Sequence, residues 1–320
     1  MESQRREERQ PLLRSHSSIH GSAAPRGQST FFQTIFNSTN VLLGVGLLSP
    51  PLGVKHAGWL VGIFLLVCSA LATAYTAKIL ARCLDDDKTL STYADIAYAS
   101  YGPGACRATR VLFSFIMIAA CVALVILFGD TMNLLIPSLT VIQWKIVCGI
   151  ILIPLHFVPF SLLSIASVVG VTASLGLVLM TIIAGVLKDQ SPGSLRQPAT
   201  TSLFPESWTT LPLSFGLIMS PWGGHASFPN LYRDMRDPVK YNHVLLYTFS
   251  STFMIDASMA ICGFLMYGND TRDEIVANVL ETPGHPRALL IFIIILVAVM
   301  PVTKVPLRSV SRSARKDVSN

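Results

Sequence analysis

Two stretches of this chain carry polar side chains and irregular-backbone residues inside otherwise apolar sequence. Asn37 to Pro51 reads NSTNVLLGVGLLSPP, and Ser220 to Asn230 reads SPWGGHASFPN. Gly44 and Gly46 are poor helix residues, and Pro50 and Pro51 remove two backbone donors. Pro221, Gly223, Gly224 and Pro229 interrupt the second stretch in the same way. Non-helical backbone at membrane depth survives only where it is buried in protein or lines a cavity. A merely kinked anchor helix is the plainer reading, because Gly and Pro are commoner in membrane helices than in soluble ones. The sharper expectation is a pair of broken helices that present backbone to a small solute. Helix N-termini at such breaks suit an anionic group, and released carbonyls suit a cation. A zwitterionic α-amino acid matches both: its carboxylate on amides near Leu43 to Gly46, its ammonium on carbonyls near Ser220 to Gly223. The candidate substrate-binding residues are Asn40, Leu43, Gly44, Val45, Gly46, Ser220, Pro221, Trp222, Gly223 and Gly224.

Three titratable side chains could couple protons to that site. His225 borders the second stretch and changes charge near physiological pH, although a buried histidine is commonly a structural group bonded to a carbonyl. Asp256 lies mid-segment in FMIDASMAI, and an intramembrane acid is by default a functional hypothesis. Lys304 ends an apolar run: its stem could snorkel to the interface, or its ammonium could occupy a cation's place between the first and eighth segments. Thr303 remains a possible oxygen ligand, so sodium is disfavoured rather than excluded. Asp130, near a segment boundary, reads as an interfacial carboxylate. Ser164, Ser167, Ser174 and Thr181, beside Gly170, Gly176 and Gly185, read as helix-packing residues.

The elements that must position these groups are membrane spans. Of the 320 residues 51% are hydrophobic and only 13% charged, with mean hydropathy +0.55, whereas soluble domains average about 25% charged. The net charge of +6 could suggest nucleic acid, but the basic residues sit in short loops and at the ends, as topology determinants do. Eight apolar segments approach the roughly 20 residues that span a bilayer: 31–54, 59–81, 108–136, 143–160, 162–187, 211–230, 243–267 and 287–306. The fourth is short and weakened by Pro154, His156 and Pro159. The tail's arginines, the loops near 82–110 and 231–242 and the C-terminal end hold far more Lys and Arg than the alternate loops, which predicts a cytosolic N-terminus. The Asn269-Asp270-Thr271 glycosylation sequon falls on the opposite side, whereas Asn37-Ser38-Thr39 lies within a span and is expected to be unmodified.

Residues 1–29 lack the apolar core of a signal peptide and read as a disordered cytosolic tail. Within it Glu8, Leu12 and Leu13 fit an acidic dileucine pattern like vacuolar and lysosomal sorting signals. The six cysteines show no CxxC or metal-ligand spacing and are expected as free thiols. Asp85-Asp86-Asp87 reads as a solvated loop rather than a metal site, ahead of a possible amphipathic stretch, Tyr93 to Tyr101. No hydrolase, protease or other catalytic constellation appears, so an enzyme is not expected.

NVLLGVGLLSPPLGVKHAGW, SPWGGHASFPNLYRDM and MPVTKVPL resemble the amino acid/auxin permease family, most closely fungal vacuolar antiporters and vesicular inhibitory amino-acid transporters. The resemblance covers roughly residues 28 to 308. It implies an all-α LeuT-type fold of two inverted five-helix repeats and proton-coupled amino-acid movement across a vacuolar or lysosomal membrane. The family typically has eleven membrane helices, so a transporter domain over 30–308 would be truncated after the eighth helix, with a polar cytosolic tail over 309–320. Small neutral amino acids are the expected substrates, the proton is the coupling ion, and no other cofactor or nucleic acid is expected. The alternative is a non-transporting amino-acid sensor, or a truncated partner that associates with full-length relatives.

Overall fold

A computed structural model describes residues 27–155 and 160–313, with side chains described for all of these except 45, 155, 160–163 and 305–313. Glu8, Leu12 and Leu13, His156 and Pro159, and residues 314–320 lie outside the described residues.

Helix α1, Phe31–Leu42, begins with a capping box in which Thr30 and Gln33 satisfy each other's amides. It ends where Gly44 turns extended (φ −93°, ψ −152°), and a 3₁₀ turn, Val45–Leu48, follows. Helix α2, Pro50–Asp86, restarts with two prolines at its first positions, where their missing amides cost nothing. The first predicted span is thus one broken helix, and α2 carries its second half together with the next span. The two are separated at Gly58 (φ 71°). A Cβ there would lie 2.5 Å from the Phe204 carbonyl carbon. The Trp59 and Leu60 amides released by the turn donate to the Ser202 and Leu203 carbonyls.

Helix α3, Tyr93–Leu135, opens with a Thr92–Asp95 capping box and bends at Gly102, ahead of Pro103. The stretch expected as a loop from Cys83 to Arg107 is therefore mostly helical, split only at 87–92. Helices α4, Val141–Leu155, and α5, Phe160–Leu187, follow. Next come α6, Leu211–Met219, an eight-residue 3₁₀ run, Ser220–Ser227, and α7, Phe228–Asp234. Helix α8 is Tyr241–Tyr267, α9 is the short Ile275–Glu281, and α10 is Arg287–Ser313, which carries helix past the expected boundary at 308.

Five helical stretches among the described residues are long and apolar enough to cross a membrane: Pro50–Asp86, Tyr93–Leu135, Ser164–Leu187, Pro238–Asp270 and Arg287–Lys304. The other three of the eight expected spans fall short for physical reasons. Val141–Pro154 is a shorter apolar helix, and the first and sixth segments are divided at their breaks. Outward faces carry large apolar side chains such as Phe115, Ile150 and Met254, as suits contact with lipid. The protein is an all-helical, polytopic membrane protein.

The loops gather at two ends. At one, the Ser29 amide donates to the Asp234 carbonyl and the Arg236 amide to Ser29, so the chain is already docked within the last residues of the expected tail. At that same end Arg233 donates to the Leu84 (2.7 Å) and Leu90 (3.0 Å) carbonyls, closing the C-terminus of α2. At the other end Lys55 reaches the Thr271 carbonyl and Lys188 the Pro283 carbonyl. Helix α8 packs on α2 and α1, and α10 on α5 and α3.

Candidate functional site

The two breaks meet each other. A Cβ on Gly46 would lie 2.4 Å from the Pro221 nitrogen, and one on Gly224 would lie 2.6 Å from the Val41 carbonyl oxygen. Only glycine allows this approach. Side chains then fasten the two segments: Ser49 Oγ donates to the Gly46 (3.1 Å) and Leu217 (3.2 Å) carbonyls, and Ser214 Oγ to the Gly53 carbonyl (2.7 Å). Ser49, Ser214 and Leu217 were not singled out in the sequence; the available signal was a hydroxyl directly before Pro50 and another six residues before Ser220.

At the first break the Leu43 amide donates to the Thr39 carbonyl, the Gly44 amide to Leu42 and the Leu47 amide to Gly44. In a 3₁₀ turn entered this way, the Val45 and Gly46 amides have no acceptor within the turn. Leu43, Leu47 and Leu48 fill the apolar core behind them. The second break is 3₁₀-helical rather than bare, so part of its carbonyl capacity is spent locally: Leu217 accepts from Ser220, and His225 accepts from Phe228. Gly223 has open space where a Cβ would stand, and Ser220 is exposed. Trp222 is buried and stacks nearly parallel on Phe249, centroids 5.6 Å apart.

Asn40 does not line the break directly. Its Oδ1 accepts from Lys304 Nζ at 3.0 Å, and its Nδ2 donates to the Thr303 carbonyl at 3.1 Å. Lys304 Nζ also donates to Ser174 Oγ at 3.1 Å. Gly170 makes room, since a Cβ there would lie 2.2 Å from Asn40 Oδ1. Lys304 is 1% exposed. It does not snorkel, because α10 continues beyond it and its ammonium finds oxygen inside the bundle among α1, α5 and α10. Ser174, read as a packing residue, is thus also a partner of this charge.

Asp256 on α8 is likewise 1% exposed, and neither carboxylate oxygen has a hydrogen-bond partner. The charge acting on it is Lys304. Thr252 and Thr248, one and two turns before it, and Asn37, Ser38 and Thr39 on α1 add further buried oxygens without partners. His225 is tied to α2. Its Nε2 lies 3.1 Å from the Thr73 carbonyl and 3.0 Å from Thr76 Oγ1, both on α2, and its ring stacks on Phe228. A carbonyl only accepts, so Nε2 carries the hydrogen. That is the structural arrangement weighed for it.

Asp130 pairs with Lys145 across the α3–α4 hairpin (3.3 Å). All six cysteines are free. Asn269 is exposed and its Nδ2 donates to Glu206, whereas Asn37 is buried. Asp85 accepts from Tyr232 and Asp87 binds Thr89, so two of the three aspartates are engaged within the protein.

Apolar spans surrounding two helices broken at their centres define a polytopic membrane protein with irregular backbone in its interior. The transmembrane amino acid transporter protein family model matches residues 27–311, and the chain belongs to that family. Similar proteins include the amino acid transporters AVT1D and AVT1E of Arabidopsis thaliana. They are 31% and 30% identical over 80% of this chain and over 47% and 49% of their own lengths. The vesicular inhibitory amino acid transporter of Xenopus laevis is 25% identical over 82% of the chain and 52% of its own. The chain spans about half the length of these curated relatives. They are named as transporters, not enzymes.

Proposed function

We propose that this chain forms the binding core of a secondary active transporter for small neutral amino acids in a vacuolar or lysosomal membrane, its N-terminus cytosolic. The observation that carries the reading is the mutual seating of the two breaks, Gly46 on Pro221 and Gly224 on Val41. The substrate carboxylate takes the Val45 and Gly46 amides, and its ammonium takes carbonyls of the Ser220–Gly224 run. Interrupted segments in first and sixth place suit two inverted five-helix repeats, the LeuT-type arrangement. Names of the relatives that refer to amino-acid transport support the substrate class.

Proton coupling rests on Lys304 and Asp256, a buried base and acid that act on each other. A buried ammonium on Asn40 and Ser174 supplies positive charge between α1, α5 and α10, which favours the proton over sodium as coupling ion. His225, tied to α2, is a weaker coupling candidate. The exposed Asn269 is the site for lumenal glycosylation, and Glu8, Leu12 and Leu13 are the sorting signal.

The test is uptake of radiolabelled L-alanine into proteoliposomes under an imposed pH gradient. Wild type is expected to accumulate alanine and dissipate the gradient, and correctly folded Gly46→Leu and Gly224→Leu are expected to do neither. Normal uptake by both variants would sink the broken-helix site. Saturable alanine binding without flux would instead support the sensor or partner reading.

A further inference from the structure

The second predicted span contains a charge that the proposed site leaves unused. Lys78 lies in LATAYTAKILARCL on α2, inside an apolar stretch, and its side chain is exposed on the outer face of the bundle. No acidic side chain pairs with it among the described residues. A lysine at membrane depth requires a counter-charge or a route to water.

Lys78 closes one end of a groove between α2 and α8 with a volume of about 350 Å³. Small side chains, Ala70 and Ala74, open it in the middle, and Val67 and Phe253 close its far end. Asn242 stands beside Lys78 at the polar mouth. The two helices run antiparallel, and each contributes a stripe of eleven residue steps, Val67 to Lys78 and Asn242 to Phe253. At 1.5 Å per residue that is about 16 Å, the depth of one leaflet in a hydrocarbon core of about 30 Å. The mouth lies toward the end where Arg233 meets the end of α2.

We propose that this groove is a binding site for one anionic phospholipid, an acyl chain lying along Ala70 and Ala74 and the phosphate on Lys78. Asn242 donates a second hydrogen bond to the headgroup. An apolar trough one leaflet long, with a single cation and an amide at its interfacial end, has the shape and charge of that ligand.

The full-length chain, purified and reconstituted in nanodiscs holding equal palmitoyl-oleoyl phosphatidylserine and phosphatidylcholine, is released and examined by native mass spectrometry. Wild type is expected to retain one phosphatidylserine in preference to phosphatidylcholine. Lys78→Gln is expected to reduce that preference about fivefold, the effect of one lysine near an anionic surface, and Lys78→Arg to keep it. Ala74→Trp, which fills the groove without touching the charge, is expected to lower retention of both lipids. Equal retention of the two lipids by wild type, or an unchanged preference in Lys78→Gln, would overturn the proposal. So would Ala74→Trp retaining lipid as wild type does, or a groove found occupied by another helix or a second copy. The readout is lipid retention, so loss of alanine uptake and loss of lipid binding are separable failures.

Discussion

The two breaks serve the same proposed ligand but are built differently. The first is short, closed and anchored on all sides. Gly46 is pinned against Pro221, Leu43 and Leu47 are sealed in the core, and Asn40, one turn earlier, ties α1 to the buried Lys304. The second is a longer 3₁₀ run seated through Gly224 on Val41, Trp222 on Phe249 and His225 on Thr73 of α2, with Ser220 exposed and Gly223 facing open space. A first break with no slack fixes the position of the amides. A second break with slack can adjust its carbonyls around a substrate. Precision and adaptability are thus divided between the two halves of one site.

Substitutions should expose that asymmetry, and thermal stability in detergent is the common readout. Asn40→Leu removes one acceptor from a fully buried ammonium, so a loss of about 1.5–3 kcal/mol is expected, as for a hydrogen bond to a charged group. Adding Lys304→Met should recover part of it, because the ammonium that lost this acceptor goes too. Gly46→Ala forces backbone apart at the first break and should cost about 1–3 kcal/mol. His225→Phe keeps the stack on Phe228 and loses the bond to the Thr73 carbonyl, an effect of about 1 kcal/mol. Gly223→Ala should change stability by less than about 0.5 kcal/mol. If Gly46→Ala and Gly223→Ala prove equally mild, the two breaks do not differ as described.

Much of the scaffold was legible because a bilayer demands about 20 apolar residues per crossing, and such runs stand out. The breaks were legible too, since Gly44, Gly46, Pro221 and Gly224 are local signals of local backbone events. What was not legible depended on long-range partners. Nothing near Lys304 in sequence says that it meets Asn40 and Ser174, so snorkelling was the default reading and the structure overturns it. His225 sits inside the second break, yet its ring turns to Thr73, a direction set by how α2 passes. The join of α2 through Gly58 was missed because the loop carbonyls that accept the Trp59 and Leu60 amides lie far along the chain. Asp256 was recognised as an intramembrane acid, but not as facing unpartnered Thr248 and Thr252, although their four-residue spacing on one helix face was available.

The central claim is that a small amino acid sits where the breaks meet. It can be measured directly by maleimide labelling of Gly223→Cys in the reconstituted full-length chain, with the six native cysteines replaced by alanine. Gly216→Cys, two turns away and also in open space, is the reference. L-Alanine is predicted to slow labelling at 223 in a saturable manner and to leave 216 unchanged. Equal labelling of Gly223→Cys with and without saturating alanine, in protein that still binds alanine, would place the substrate elsewhere.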